Sequence, residues 1–193
     1  PLLADLRVSA GAANAWQAYA DLLEEVIALT DSPQAQVEQL VDLADCCLQH
    51  LNQPEAAKDA LTRALAIDPD HHAALSRIED LTLLQQDYVG LEQTLERRLA
   101  IAQEPAERRS LMMRLARLRE DLTGNDEGAA ATYRAVLSET PSEPEALAGL
   151  RRILERAGLF EELEDVLRQQ SELSDDPRTR LAARRDRARV LWQ

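Results

Sequence analysis

Apolar residues in this chain recur at intervals of three and four, which places them on one face of an α-helix. Leu75, Ile78 and Leu81 form one such run, Leu91, Leu95 and Leu99 another, and Leu147, Leu150 and Leu154 a third. Turn-forming residues interrupt the pattern regularly. It predicts eleven helical segments, about 3–9, 14–29, 34–50, 54–67, 71–85, 88–103, 106–122, 126–139, 143–157, 159–173 and 178–192. Connections this short make consecutive helices antiparallel.

Prolines punctuate the pattern. Pro33, Pro69, Pro105, Pro141 and Pro177 each follow the last by 36 residues. Proline lacks the N–H donor, so it stops a helix or opens its first turn. Four residues earlier stand Leu29, Leu65, Ile101, Leu137 and Leu173, expected to be the last core contact of each preceding helix. A longer period is visible in Trp16, Tyr88 and Phe160, spaced 72 apart. Under this shift 33–104 lies over 105–176 without a gap, matching Leu43-Ala44 with Leu115-Ala116 and Ala74-Leu75 with Ala146-Leu147. Asn52, Gln86, Gly124 and Gly158 precede second helices at spacings of 34, 38 and 34. The repeating unit is therefore a helical hairpin of alternating length. Gly124 and Gly158 suit the left-handed conformation that ends a helix.

Composition agrees. Of the 193 residues 45% are hydrophobic, 30% charged and only 3% aromatic. Ala, Leu, Glu and Arg dominate, all good helix formers. β-branched residues are sparse, which argues against a sheet. Lys58 is the only lysine, and this bias towards Arg, with abundant Ala, points to a GC-rich bacterial genome. No apolar run approaches the roughly 18 residues of a membrane span. The chain begins with Pro1 and ends at Gln193 within a helical pattern, so it is expected to be a fragment of a longer array.

The second helices carry a recognisable pattern. Helix 54–67 has Ala57, Leu61, Ala64 and then Pro69; helix 126–139 has Ala129, Tyr133, Val136 and then Pro141. Small residues let helices approach, and the large one fills the gap. This resembles the second helix of a tetratricopeptide repeat. The first helices depart more, since the family's usual Trp and Gly are missing. In the 38-residue units Leu163 and Leu167 replace the small residue and its partner, so 52–85 and 124–157 fit best. The resemblance implies an all-α fold, a right-handed α-solenoid of antiparallel helical hairpins forming a tetratricopeptide-like superhelix. The expected hairpins are about 1–30, 33–67, 70–103, 105–139 and 142–173, with a final unpaired helix 177–192, in one domain over 1–193. It further implies a concave face of first helices that holds a peptide or partner helix. The matching groove positions are Asp42, Cys46, Ser76, Asp80, Arg114, Leu118, Ala148 and Arg152. The Lys and Asn clamp by which some relatives hold acidic chaperone tails is absent, its positions being Asp42, Cys46, Arg114 and Leu118.

Charge is uneven. The net charge is -13, yet residues 97–193 balance 18 basic against 18 acidic side chains while 1–96 hold 4 against 17. The 72-residue shift turns Asp42 into Arg114, Asp45 into Arg117, Glu79 into Arg151 and Asp80 into Arg152. An acidic first half and a basic second half of the groove are expected, suited to a partner polarised the other way. Solvated charges on helix faces are the alternative.

Other chemistry is thin. Adjacent Cys46 and Cys47 diverge on a helix and are read as small, partly buried residues. His71 and His72, beside Asp68 and Asp70, are read as a solvated turn rather than a metal site. His50 lies near a helix end, where a cation favours the dipole. The Arg-rich face of 178–189 lacks aromatic interleaving in an acidic chain, so no nucleic acid is expected. No phosphate loop or nucleophile–His pair is present. The expectation is a non-enzymatic scaffold for a protein or peptide, with no cofactor and no metal. The alternatives are a self-assembling spacer and an accessory domain beside a catalytic one. Val190, Leu191 and Trp192 are expected to form an apolar edge through which the chain self-associates. No compartment is encoded; the cytoplasm is the default expectation.

Overall fold

The computed structural model describes residues 2–174 and 176–191. Trp192, expected on the final apolar edge, lies outside the described residues. Among them the chain is helical, with no strand. The helices are α1 (Leu2–Ala13), α2 (Trp16–Leu29), α3 (Pro33–Cys46), α4 (Pro54–Ile67), α5 (His72–Leu84) and α6 (Tyr88–Ile101), then α7 (Pro105–Leu118), α8 (Asp126–Glu139), α9 (Pro144–Ala157), α10 (Phe160–Leu173) and α11 (Pro177–Val190). α1 is longer than the expected 3–9.

The prolines divide into two roles. Pro33, Pro105 and Pro177 open helices at the first turn. Pro69 and Pro141 instead sit in the turns after α4 and α8. The 36-residue spacing is thus half of the true 72-residue period. Every turn from a first to a second helix contains one left-handed residue: Asn14, Asn52, Gln86, Gly124 and Gly158, with φ from 52° to 68°. Only Gly occupies that region without steric cost. The longer units take up their extra residues in the first helices. α3 and α7 each run on into a π turn, Cys47–Leu51 and Arg119–Thr123.

The chain forms two compact units, Pro1–Arg98 and Leu99–Gln193. In the first, α2 packs on α3, α3 on α4 and α4 on α5. Its core includes Leu23, Leu40, Ala57, Leu61 and Ala64, none more than 1% exposed. In the second, α7 to α11 pack consecutively. There Ala129, Tyr133, Val136, Leu154 and Leu167 are equally buried. The small–large–small pattern of α4 and α8 is therefore core packing, as the sequence predicts. Each fully buried large side chain contributes about 1.5–3 kcal/mol.

One expectation needs correction. Leu29 is 84% exposed and Leu173 42%, so neither is the last core contact of its helix. In α2 that contact is Ile27, at 6%. Leu29 lies two residues on, rotated about 200° around the axis. The aliphatic residue before each proline marks the end of the helix, not always its buried face.

Gly149 of α9 makes room for a side chain of α8. A Cβ built on it would lie 2.3 Å from the ring of Tyr133. Tyr133 of α8 thus lies across the α9 backbone. Gly149→Ala is expected to destabilise the chain by about 1–3 kcal/mol through overpacking, despite alanine's better helix propensity. Urea unfolding followed by circular dichroism checks this, and an unchanged midpoint would refute it.

Candidate functional site

Within each unit, charged residues on successive first helices meet. In the first unit Asp42 of α3 accepts Nη1 of Arg7, on α1, at 2.7 Å and the Tyr19 hydroxyl at 2.5 Å. Burial, then the hydrogen bond to Asp42, pushes the Tyr19 phenol above its usual range. Asp45 of α3 takes a two-pronged contact from Arg77 of α5, at 2.6 and 3.2 Å. Glu79, 2% exposed, pairs with Arg98. In the second unit Arg117 of α7 pairs with Glu145 of α9, and Arg151 of α9 with Asp186 of α11 at 3.1 Å.

A further buried carboxylate, Glu120, lies in the π turn after α7. Its side chain is 1% exposed. It accepts two hydrogen bonds from Arg152 of α9, both 2.9 Å, and one from the Tyr133 hydroxyl at 2.9 Å. Arg156, 3.6 Å away, also reaches Asp126 at 2.7 Å. Burial raises the pKa of Glu120, but the hydrogen bonds from Arg152 and Tyr133 and the nearby guanidinium charges outweigh it, so the carboxyl stays below its usual range.

The expected groove residues fall into three groups. Cys46 and Leu118 are buried, at 1% and 4% exposure, and offer a partner no surface. Asp42 and Arg152 are held by the ion pairs above. Ser76 and Ala148 are half-buried, while Asp80 and Arg114 are exposed. Much of the expected charge contrast is therefore neutralised inside each unit. A sequence pattern shows which face a charge occupies, but not the neighbour one repeat away.

Two further readings are settled by geometry. Burial pushes the Cys46 thiol up to about 11, and raises Cys47 as well. Both are poor thiolates at neutral pH. His71 accepts the Ala74 N–H through Nδ1 at 3.3 Å, as a helix cap. His50 stacks on Trp16 with ring centroids 3.5 Å apart, a contact the sequence did not announce. Among the described residues no group of His, Cys, Asp and Glu could hold a metal ion. No helix there is long and apolar enough to cross a membrane.

Glu120 makes a testable acid sensor of fold stability. Its folded pKa lies below the unfolded value of about 4.3. The stabilisation it supplies is therefore complete above that value and is lost as pH falls through the folded pKa. Glu120→Gln keeps the shape and a hydrogen-bond acceptor for Tyr133 but loses the charge. It is expected to cost about 1–2 kcal/mol at pH 7 and to flatten the acid limb of a stability–pH profile. An unchanged acid limb would remove Glu120 from that role.

Comparisons with known proteins give a consistent result. The tetratricopeptide-repeat family profile matches residues 146–181. This segment covers most of α9, α10 and the start of α11, one helix beyond 124–157. No curated protein matches the sequence. A crystal structure of MamA protein aligns over 87% of this chain and 87% of that chain, with 15% identity and a TM-score of 0.54. Another MamA structure covers 94% and 95%, at 14% identity and 0.52. YrrB, described as a tetratricopeptide protein with an unusual peptide-binding site, covers 79% and 75% at 16% identity and 0.50. At such identities the likeness is one of fold. The chain carries a tetratricopeptide repeat at 146–181 and has the fold of the tetratricopeptide-like helical repeat proteins.

Proposed function

We propose that the chain is a non-enzymatic interaction module that holds a peptide or helix of a partner protein against its first helices. The fold is one that generally mediates protein–protein contact. The observation that carries the reading is found within each unit: ion pairs join first-helix segments, Arg77 with Asp45 in the first unit and Arg152 with Glu120 in the second, and each unit also presents an exposed charged residue on a first helix, Asp80 and Arg114 respectively. Prefixed side chains lose little freedom on binding, which favours recognition. Of the expected contact residues, Asp80, Arg114, Ser76, Ala148 and the accessible edge of Arg152 carry the proposal.

Asp80→Lys combined with Arg114→Glu tests it. Arg152 is left alone, because a carboxylate there would face buried Glu120. Affinity capture from lysate, read by quantitative mass spectrometry, is expected to show a partner retained by the wild type and reduced at least tenfold by an equally helical variant. Identical captures would remove the first-helix face from the account.

A second reading, self-association, has its own observation. Val37, Ala44 and Cys47 of the α3 region are at most 3% exposed, whereas Leu181 and Leu191, two periods on from Val37 and Cys47, are 70% and 62% exposed. That face of α11 is suited to stacking on another copy. Sedimentation velocity is expected to show a concentration-dependent mass that Leu181→Lys abolishes. A strictly monomeric wild type would rule this reading out.

A further inference from the structure

The 72-residue period places the same cleft in both units. In the second unit it lies between α8 and α10 and measures about 340 Å³. In the first it lies between α4 and α6, floored by α5, and measures about 510 Å³. Each residue lining the smaller cleft has its 72-residue counterpart lining the larger one. Leu137 and Leu150 correspond to Leu65 and Ile78, which form an apolar floor in both.

The walls differ. In the second unit Arg134 and Glu162 join across the cleft at 2.7 Å. Thr62 and Gly90 stand at those positions in the first unit and cannot make that bridge. Val166 is replaced by the smaller Thr94, and Ser138 by Ala66. The same divergence gives a larger and more apolar slot where its twin is spanned by an ion pair.

The charges at its mouth say what fits. Residues 1–98 carry six basic side chains against 17 carboxylates. Arg7, Arg63, Arg77 and Arg98 each hold a carboxylate of another helix. Lys58 holds Asp87 at 3.5 Å at the cleft edge. Among the described residues, Arg97 is the one basic side chain of this stretch with no ion pair. It is half-buried and lines the cleft, where the second unit has neutral Gln169. An uncompensated guanidinium at the rim of an apolar slot is suited to a carboxylate.

We propose that the α4–α6 cleft docks a partner peptide, which inserts one large aliphatic or aromatic side chain over Leu65 and Ile78 and sets a carboxylate on Arg97. The volume falls in the range of pockets that enclose small ligands, about 300–1,000 Å³. This site opens between the second helices α4 and α6, and neither Asp80 nor Arg114 lines it, so either proposal can fail while the other stands.

The test uses the full chain and fluorescein-labelled nine-residue peptide pools. One pool has a central Leu or Phe flanked by Glu; the others replace Glu by Lys, or the central residue by Ser. Anisotropy is expected to show binding of the first pool alone. Affinity is expected to fall at least tenfold in Arg97→Gln and in Ala66→Trp, and to be unchanged in Asp80→Lys. Ala66 is exposed on α4, so tryptophan there fills the slot without disturbing the core. Thr62→Arg with Gly90→Glu would import the closing bridge, but a Cβ on Gly90 would meet the Asp87 carboxylate at 2.6 Å, so the tryptophan variant decides. Equal binding by wild type and Ala66→Trp, equal binding of the Lys pool, or no binding of the Glu pool would each overturn the proposal.

Discussion

Ala57, Ala64, Ala116, Ala129 and Ala146 are all fully buried, small residues of the kind that let neighbouring helices approach closely. A helical hairpin alone buries only a stripe, so this structure depends on hairpins approaching one another closely enough to share a core. Small residues permit that approach, and one large residue per second helix fills what is left. Leu61 does this in α4 and Tyr133 in α8, where the tyrosine needs Gly149 to make room. The same tyrosine then turns its hydroxyl to Glu120. Packing and polar chemistry are thus coupled through one side chain.

Charge plays two distinct parts. Most cross-helix ion pairs here are half-exposed, such as Arg63 with Glu24 or Arg134 with Glu162. Pairs of that kind contribute about 0–1 kcal/mol each, so they fix register more than they hold the fold. Glu120, like Glu79, differs because its carboxylate is withdrawn from water, and both Arg152 and Tyr133 donate to it. Its site is the π turn that absorbs the extra residues of the longer unit. A widened helical turn offers an altered side-chain direction, and such turns often mark sites under functional constraint.

The two 72-residue halves show how one scaffold diverges without altering its backbone plan. At the position where Arg156 reaches Glu120 and Asp126, the first unit has Leu84, Leu48 and Pro54, which border a notch of about 320 Å³. Leu84 is 78% exposed there. The α4–α6 cleft repeats the theme, with an apolar slot in one unit and an ion bridge in the other. At both places the first unit is the more apolar, and the second carries an ion pair.

The sequence by itself determined the helices and their order. Periodicity at three and four, proline at first turns and Gly at left-handed positions are local constraints, and local constraints are legible in a linear string. It also determined the buried trio of each best-fitting second helix, because small–large–small is a packing rule. Tertiary structure decided the rest. Leu29 looked like core and faces outward. Cys46 and Leu118 looked like groove and are buried. Arg152 looked like a groove position alone and also holds Glu120, thirty-two residues away. Each of these depends on what stands opposite across a neighbouring hairpin, and that identity is set by the rotation between repeats, which no single helix encodes.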